Sequence, residues 1–197
     1  RMIAALDLIA TFAFALVGAR LAADRKMDYG GILLVATVAS LTGSTIRNLC
    51  LGERPLWLQK PWFFLAILGA VLVTILIRVT KPIGFVILTL DSIGLAFSTV
   101  VGVQYSLQHY APSFAAVILG IISAVAGGLL RDVLCQVEPV LLHRETIGTC
   151  AFLGASVFAI LQPTSLPIEV SGVIAGIIVV GFRALSIKYR WNLPRVS

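Results

Sequence analysis

Residues 40–48 read Ser40-Leu41-Thr42-Gly43-Ser44-Thr45-Ile46-Arg47-Asn48, and residues 123–132 read Ser123-Ala124-Val125-Ala126-Gly127-Gly128-Leu129-Leu130-Arg131-Asp132. Each stretch sets glycine, hydroxyl, arginine and an amide or carboxylate into an apolar run. Sliding the chain along itself without a gap until Gly43 lies on Gly127 also lays Arg47 on Arg131, and the match extends well beyond them. Asp7 falls on Asp91, Ile9 on Ile93, Gly18 on Gly102, Pro55 on Pro139 and Leu58 on Leu142. Apolar matches are expected in so hydrophobic a chain. An aspartate, an arginine, two glycines and a proline in one register point to a duplication.

The surroundings of the repeat fix the solvent. Of 197 residues, 59% are hydrophobic and 12% charged, and the mean hydropathy is +1.02, more than the core of a water-soluble domain of this size can hide. A hydrocarbon layer about 30 Å thick takes roughly 20 apolar residues per helix. Such runs lie near residues 3–22, 29–51, 62–80, 83–105, 112–135, 146–162 and 168–187, the sixth being short and ending at Gln162-Pro163-Thr164-Ser165. The expectation is an all-α integral membrane protein with seven transmembrane helices in a single membrane domain over residues 1–197. Repeat one covers about 3–80, repeat two about 83–162, and a seventh helix at about 168–187 stands outside the duplication. Three spans per repeat is an odd number, so the second copy enters the bilayer from the opposite side. Inverted pairs of this kind characterise membrane transport proteins.

A net charge of +6 and a pI near 9.7 raise the question of nucleic acid, but the basic residues cluster in short gaps between apolar runs and not on one polar face. They read as topology signals, and no nucleic-acid partner is expected. Arg20, Arg25, Lys26, Arg78, Lys81, Arg144, Arg183, Lys188, Arg190 and Arg195 fall to one face; Arg1, Arg54 and Lys60 fall to the other. The C-terminus is therefore expected in the cytoplasm and the N-terminus outside. The opening run carries Asp7 and lacks a cleavage site, so it reads as a first span and not a signal peptide. Cys50, Cys135 and Cys150 fit neither a CxxC pair nor a disulfide framework and read as packing residues.

Within the spans, glycine costs about 1 kcal/mol in a helix interior and hydroxyls can bond back to the preceding turn. Gly43, Gly127 and Gly128 are thus candidates for a kink or a locally opened helix; the other reading is close helix packing. Asp7, Arg47, Asp91, Arg131 and Asp132 would each cost on the order of 3 kcal/mol at a helix centre if unpaired. Depth pairs Asp7 with Arg47, and the duplication then pairs Asp91 with Arg131 near the opposite face. Two readings stand: staples between helices, or charges lining a hydrated constriction. Asp132 aligns with Asn48, has no evident second partner, and is expected to meet an ion. Trp57, Trp62, Tyr105, Tyr110, Tyr189 and Trp191 near span ends read as headgroup-level rings. His109 and His143 fall at opposite faces, which speaks against a shared metal site, and Glu53, Glu138, Glu145 and Glu169 read as interfacial. No HExxH, no GxSxG and no Cys-His pair within one predicted layer is present, and arginine cannot serve as a base, so no enzyme is expected.

These residues resemble the trimeric intracellular cation channel family, in its prokaryotic branch. The likeness covers nearly the whole chain and is sharpest at Gly127-Gly128-Leu129-Leu130-Arg131-Asp132, at Gly43-Ser44-Thr45-Ile46-Arg47-Asn48, and at the Asp7 and Asp91 openings of the repeats. It implies a homotrimer with a pore in every protomer, conducting potassium and sodium, its second and fifth spans kinked at their glycines and lining the path. Asp7, Ser44, Thr45, Arg47, Asn48, Asp91, Ser123, Arg131 and Asp132 then become the pore-lining or gating residues. Both copies depart from a full triple-glycine motif, with Thr42-Gly43-Ser44 and Ala126-Gly127-Gly128, and the lipid-binding lysine signature of animal members has no match. No cofactor is expected beyond the transported ions and lipid of the bilayer. Hydroxyls of Ser44, Thr45 and Ser123 could replace part of an ion's hydration shell; such weak ligands predict poor discrimination between potassium and sodium. A coupled transporter of a small polar solute such as an amino acid, and a non-conducting scaffold, are the competing classes.

Overall fold

Hydrocarbon offers a backbone no partner but itself, and among the described residues every regular element is a helix. The computed structural model describes residues 2–77, 84–137 and 147–189. The helices are α1 (Met2–Asp24), α2 (Tyr29–Cys50), the single turn α3 (Leu56–Gln59), α4 (Trp62–Leu76), α5 (Gly84–Gln108), α6 (Ser113–Leu134), α7 (Ile147–Leu161) and α8 (Ile168–Tyr189). Five of them, α1, α2, α5, α6 and α8, are long and apolar enough to cross a bilayer, while α4 and α7 are shorter apolar helices. Pro139, Leu142, His143, Glu138, Glu145, Arg1, Arg78, Lys81, Arg144, Arg190, Trp191 and Arg195 lie outside the described residues.

Local sequence sets the boundaries. Asp28 caps α2, its carboxylate accepting from the Gly31 amide at 2.7 Å. Pro61 and Pro112, which have no amide to lose, precede α4 and α6. The turns that end helices repeat at the interval of the duplication. Lys26 (φ 58°) and Tyr110 (φ 61°) close α1 and α5, and Gly52 (φ 72°) and Gln136 (φ 52°) close α2 and α6, all in the left-handed region. In each turn the next residue's amide reaches back to a carbonyl in the last turn of the helix, Met27 to Ala22, Ala111 to Ser106, Glu53 to Asn48 and Val137 to Asp132. This satisfies carbonyls that a helix end otherwise leaves bare.

Packing repeats in the same way. The pair α1 and α2 meets at Gly18, where a side chain would come within 2.9 Å of the Ala39 Cβ; α5 and α6 meet at Gly102, equally tight against Gly120 at 2.8 Å. Helix α1 also packs on α4 and α5, α5 on α7 and α8, and α2 on α6. One apolar core gathers Ala15, Ala19, Ile32, Ala36, Phe63 and Ile67 from α1, α2 and α4, and two smaller ones join α5 through α8. The α4 face opposite that core, with Leu65, Leu68, Leu72 and Leu76, is exposed, as a lipid-facing surface is.

Helices α2 and α6 cross through their glycines. A Cβ on Gly43 would overlap the Ser123 carbonyl, and one on Gly127 would overlap the Ala39 carbonyl. Ala39 and Ser123 are counterparts in the duplication, as are Gly43 and Gly127, so the contact is reciprocal. The partner's numbers fall as α2's rise, hence the two helices cross antiparallel. Both run on as helix through Gly43, Gly127 and Gly128, so the locally opened backbone considered from sequence is not found, and the glycines at 43 and 127 serve close approach.

Candidate functional site

Two buried ionic clusters lie on this scaffold. In the first, α1 supplies Asp7, α2 supplies Arg47 and Asn48 from its last turn, α5 supplies Tyr105 and α6 supplies Ser123. Arg47 is wholly buried, and its guanidinium donates from Nε to Asn48 Oδ1 (2.9 Å), from Nη1 to Ser123 Oγ (3.4 Å) and from Nη2 to Asp7 Oδ2 (3.4 Å). The Tyr105 ring covers it, 4.5 Å from the guanidinium carbon to the ring centre. Asn48 donates onward to the Arg54 carbonyl (3.1 Å), Trp57 Nε1 donates to Thr45 Oγ1 (2.9 Å), and His109 stacks on Tyr105 at 4.1 Å. The segment leading into α3 is thereby fastened over the cluster.

The second cluster is built on Asp91 of α5. Its Oδ1 accepts from Arg131 Nη1 and its Oδ2 from Arg183 Nη2, each at 2.9 Å. Arg131 also grips its neighbour Asp132, with Nε and Nη2 both 2.8 Å from Oδ1, and Arg183 donates from Nε to Ser92 Oγ at 2.8 Å. A guanidinium stays charged at any pH the cell meets. Here two of them face two carboxylates. A cavity of about 20 Å3 touches Asp91, Arg131 and Asp132, room for one water.

The ion pairs expected from depth and register are thus present, Asp7 with Arg47 and Asp91 with Arg131. Other expectations change. Asp132 is buried and held by the neighbouring Arg131, the same arginine that pairs with Asp91. Arg183, counted among the loop charges, is inside α8 and 2% exposed. Tyr105 and Trp57 depart from the headgroup-level position expected of them, Tyr105 being buried over Arg47 and Trp57 bonded to Thr45, whereas Trp62, Tyr110 and Tyr189 are exposed. The hydroxyls are occupied as donors: Ser44 and Thr45 both bond back to the Leu41 carbonyl, at 3.2 and 2.7 Å. Arg183 could have been found from sequence, since an arginine short of the end of the 168–187 run is an intramembrane charge by position alone.

Comparison with known proteins places the molecule. A family model described as "Glycine transporter" matches twice, over residues 4–78 and 88–163. The UPF0126 inner membrane protein YadS of Escherichia coli is 31% identical over 96% of this chain and 93% of its own length, and the UPF0126 membrane protein YvgT of Bacillus subtilis is 27% identical over 98% and 95%. Among solved structures, the trimeric intracellular cation channel orthologue from Rhodobacter sphaeroides superposes with a TM-score of 0.90 at 33% identity, covering 95% of this chain and 98% of that one. A second, from work on conductance through TRIC cation channels, gives 0.86 at 31% identity over 98% and 96%. With a solved relative matched in sequence and in fold almost end to end, and the family model covering both halves, the chain belongs to the trimeric intracellular cation channel family, in its prokaryotic branch.

Proposed function

We propose that the protein is a passive channel for monovalent cations, potassium and sodium, in the inner (plasma) membrane, with a path in each protomer between two inverted three-helix repeats. The observation that carries this is the placing of two matched arginine–aspartate clusters, one in each copy of the duplication, on helices that cross antiparallel. Charge of this kind in hydrocarbon is retained where it meets a permeant species or water. In this reading α2 and α6 line the path. Asp7 with Arg47 gates the outer mouth, and Asp91 with Arg131 gates the cytoplasmic one. Ser44, Thr45, Asn48, Ser123 and Asp132 line the route between and beside them, and Gly43, Gly127 and Gly128 let the two helices bend as it opens. Arg47 is fully buried and the cavity beside Arg131 has room for no more than one water, so in this reading conduction requires the pairs to part.

The N-terminus faces outward and the C-terminus the cytoplasm by the distribution of loop charge. Homotrimeric assembly is supported by the Rhodobacter relative, which is a trimeric channel, and by α8, where Gly176 and Gly181 have nothing within 4 Å of a would-be side chain. Those glycines offer a close-packing face that the protomer itself leaves unused.

Purified protein in a planar bilayer tests the proposal. Unitary currents are expected, with a reversal potential close to zero under potassium on one side and sodium on the other, because carbonyls and hydroxyls coordinate weakly. Strong preference for either cation, or selectivity for anions, contradicts the reading. A coupled transporter of a small amino acid is the second reading, favoured by the "Glycine transporter" description of the family model. It requires saturable glycine uptake into proteoliposomes driven by a proton or sodium gradient, with no unitary current.

A further inference from the structure

The two clusters are equivalent by duplication but not identical: the first takes Ser123 and Tyr105, whose counterparts are Ala39 and Leu21, and the second has two departures of its own. Position 48 is Asn and its counterpart 132 is Asp; position 8 is Leu and its counterpart 92 is Ser. Both departures lie in the second cluster, which is also the one that α8, the helix outside the duplication, enters. From α8 comes Arg183, 2% exposed, donating to Ser92 Oγ and Asp91 Oδ2. Among the described residues the first cluster has one carboxylate and one guanidinium, the second two of each. The hydroxyl of Ser92 supplies an acceptor that Leu8 cannot, and the second carboxylate at 132 offsets a guanidinium that cannot deprotonate.

We infer that Arg183 and Asp132 are a matched pair of counter-charges that sets the potential at one mouth of the path, and with it the direction in which cations pass more readily. The inference rests on the channel reading. A fixed charge beside a narrow, low-dielectric passage raises or lowers the local cation concentration on its own side. Neutralising Arg183 leaves an excess negative charge at the α8 side, which the topology above assigns to the cytoplasm, and draws cations in from there. Neutralising Asp132 does the reverse. Neutralising both cancels, and leaves the second mouth with the charge arrangement of the first.

Single-channel current–voltage curves from inside-out patches of giant spheroplasts, in symmetric potassium, test this on the full chain. Arg183→Gln is expected to pass cations entering from the cytoplasmic side at least twofold better than the reverse, Asp132→Asn to rectify in the opposite sense, and Asp132→Asn/Arg183→Gln to match the wild type. Arg183→Lys, which keeps the charge, should also match it. A merely structural role lowers open time or expression without giving two opposite rectifications that cancel. Singles that keep the wild-type curve, or bend it the same way, overturn the inference, as does a double variant that stays rectified. Should Arg183→Gln not fold, the charge-matched double variant must still fold and conduct symmetrically, and its failure overturns the inference too. Absence of unitary currents in the wild type refutes the channel reading and this inference with it. Wild-type currents with unresponsive variants refute this inference alone.

Discussion

Arg47 has no contact with solvent and spends every guanidinium nitrogen on a neighbour, with an aromatic ring across its face. Removing such a partner leaves the other charge stranded, which costs about 3–5 kcal/mol where it has been measured for buried pairs. Arg47→Ala is accordingly expected to lower the melting temperature in detergent sharply, because Asp7 remains buried with nothing opposite. The neutral pair Asp7→Asn/Arg47→Gln should recover most of the loss. If that pair restores stability but abolishes or reshapes the current, Arg47 belongs to the path; unchanged currents from intact oligomers make it a staple. At this scale the register of the duplication made the two primary ion pairs legible, since an aspartate and an arginine that recur together in the second copy must find one another twice. Arg183 was legible by its position inside the 168–187 run, whereas Tyr105 was not. A ring near a span end reads as interfacial until the span is known to run past it, and α5 continues beyond Tyr105, to Gln108.

Helix crossings depend on what is missing from a side chain. Gly43 and Gly127 sit where a single added carbon would collide with a carbonyl of the other repeat, so the α2–α6 crossing is set by backbone contact. Gly43→Val and Gly127→Val are each expected to destabilise the protein by about 1–3 kcal/mol, the usual cost of overfilling a packed interior, read as a drop in thermal melting. Comparable losses from the two substitutions would reflect the reciprocity of the contact; a loss from one alone would show that the crossing is lopsided. Hydropathy located the helices to within a few residues, because desolvating a backbone leaves few alternatives to helix. It did not reveal the short α3, whose single turn carries too little apolar length to register, although α3 sits beside the segment fastened over the first cluster. Nor did it choose between bending and packing for the glycines, since that choice depends on the neighbouring helix and not on the local run.

For the whole molecule, the apolar surface is a prediction in its own right. Gly176 faces open space in the protomer, so Gly176→Leu should leave protomer melting unchanged. If α8 makes the contact between subunits, the same substitution should shift the species seen by native mass spectrometry from trimer toward monomer; persistence of the trimer would move the interface to another face. Membrane solvent and ionic pairing were legible at this scale because they follow from composition and register. The role of α8 was not, since nothing in the repeat calls for it.

Order of synthesis gives the α8 arginine a further consequence. Ribosomes deliver Asp91 and Asp132 to the bilayer together with Arg131, and residue 183, the second guanidinium bonded to Asp91 among the described residues, emerges well after Asp132. Until it arrives, Asp91 lacks one of its two guanidinium partners in the membrane, at a cost of some kcal/mol. A chain broken off after α7 would keep that imbalance for good, whereas a completed one relieves it by inserting its last helix.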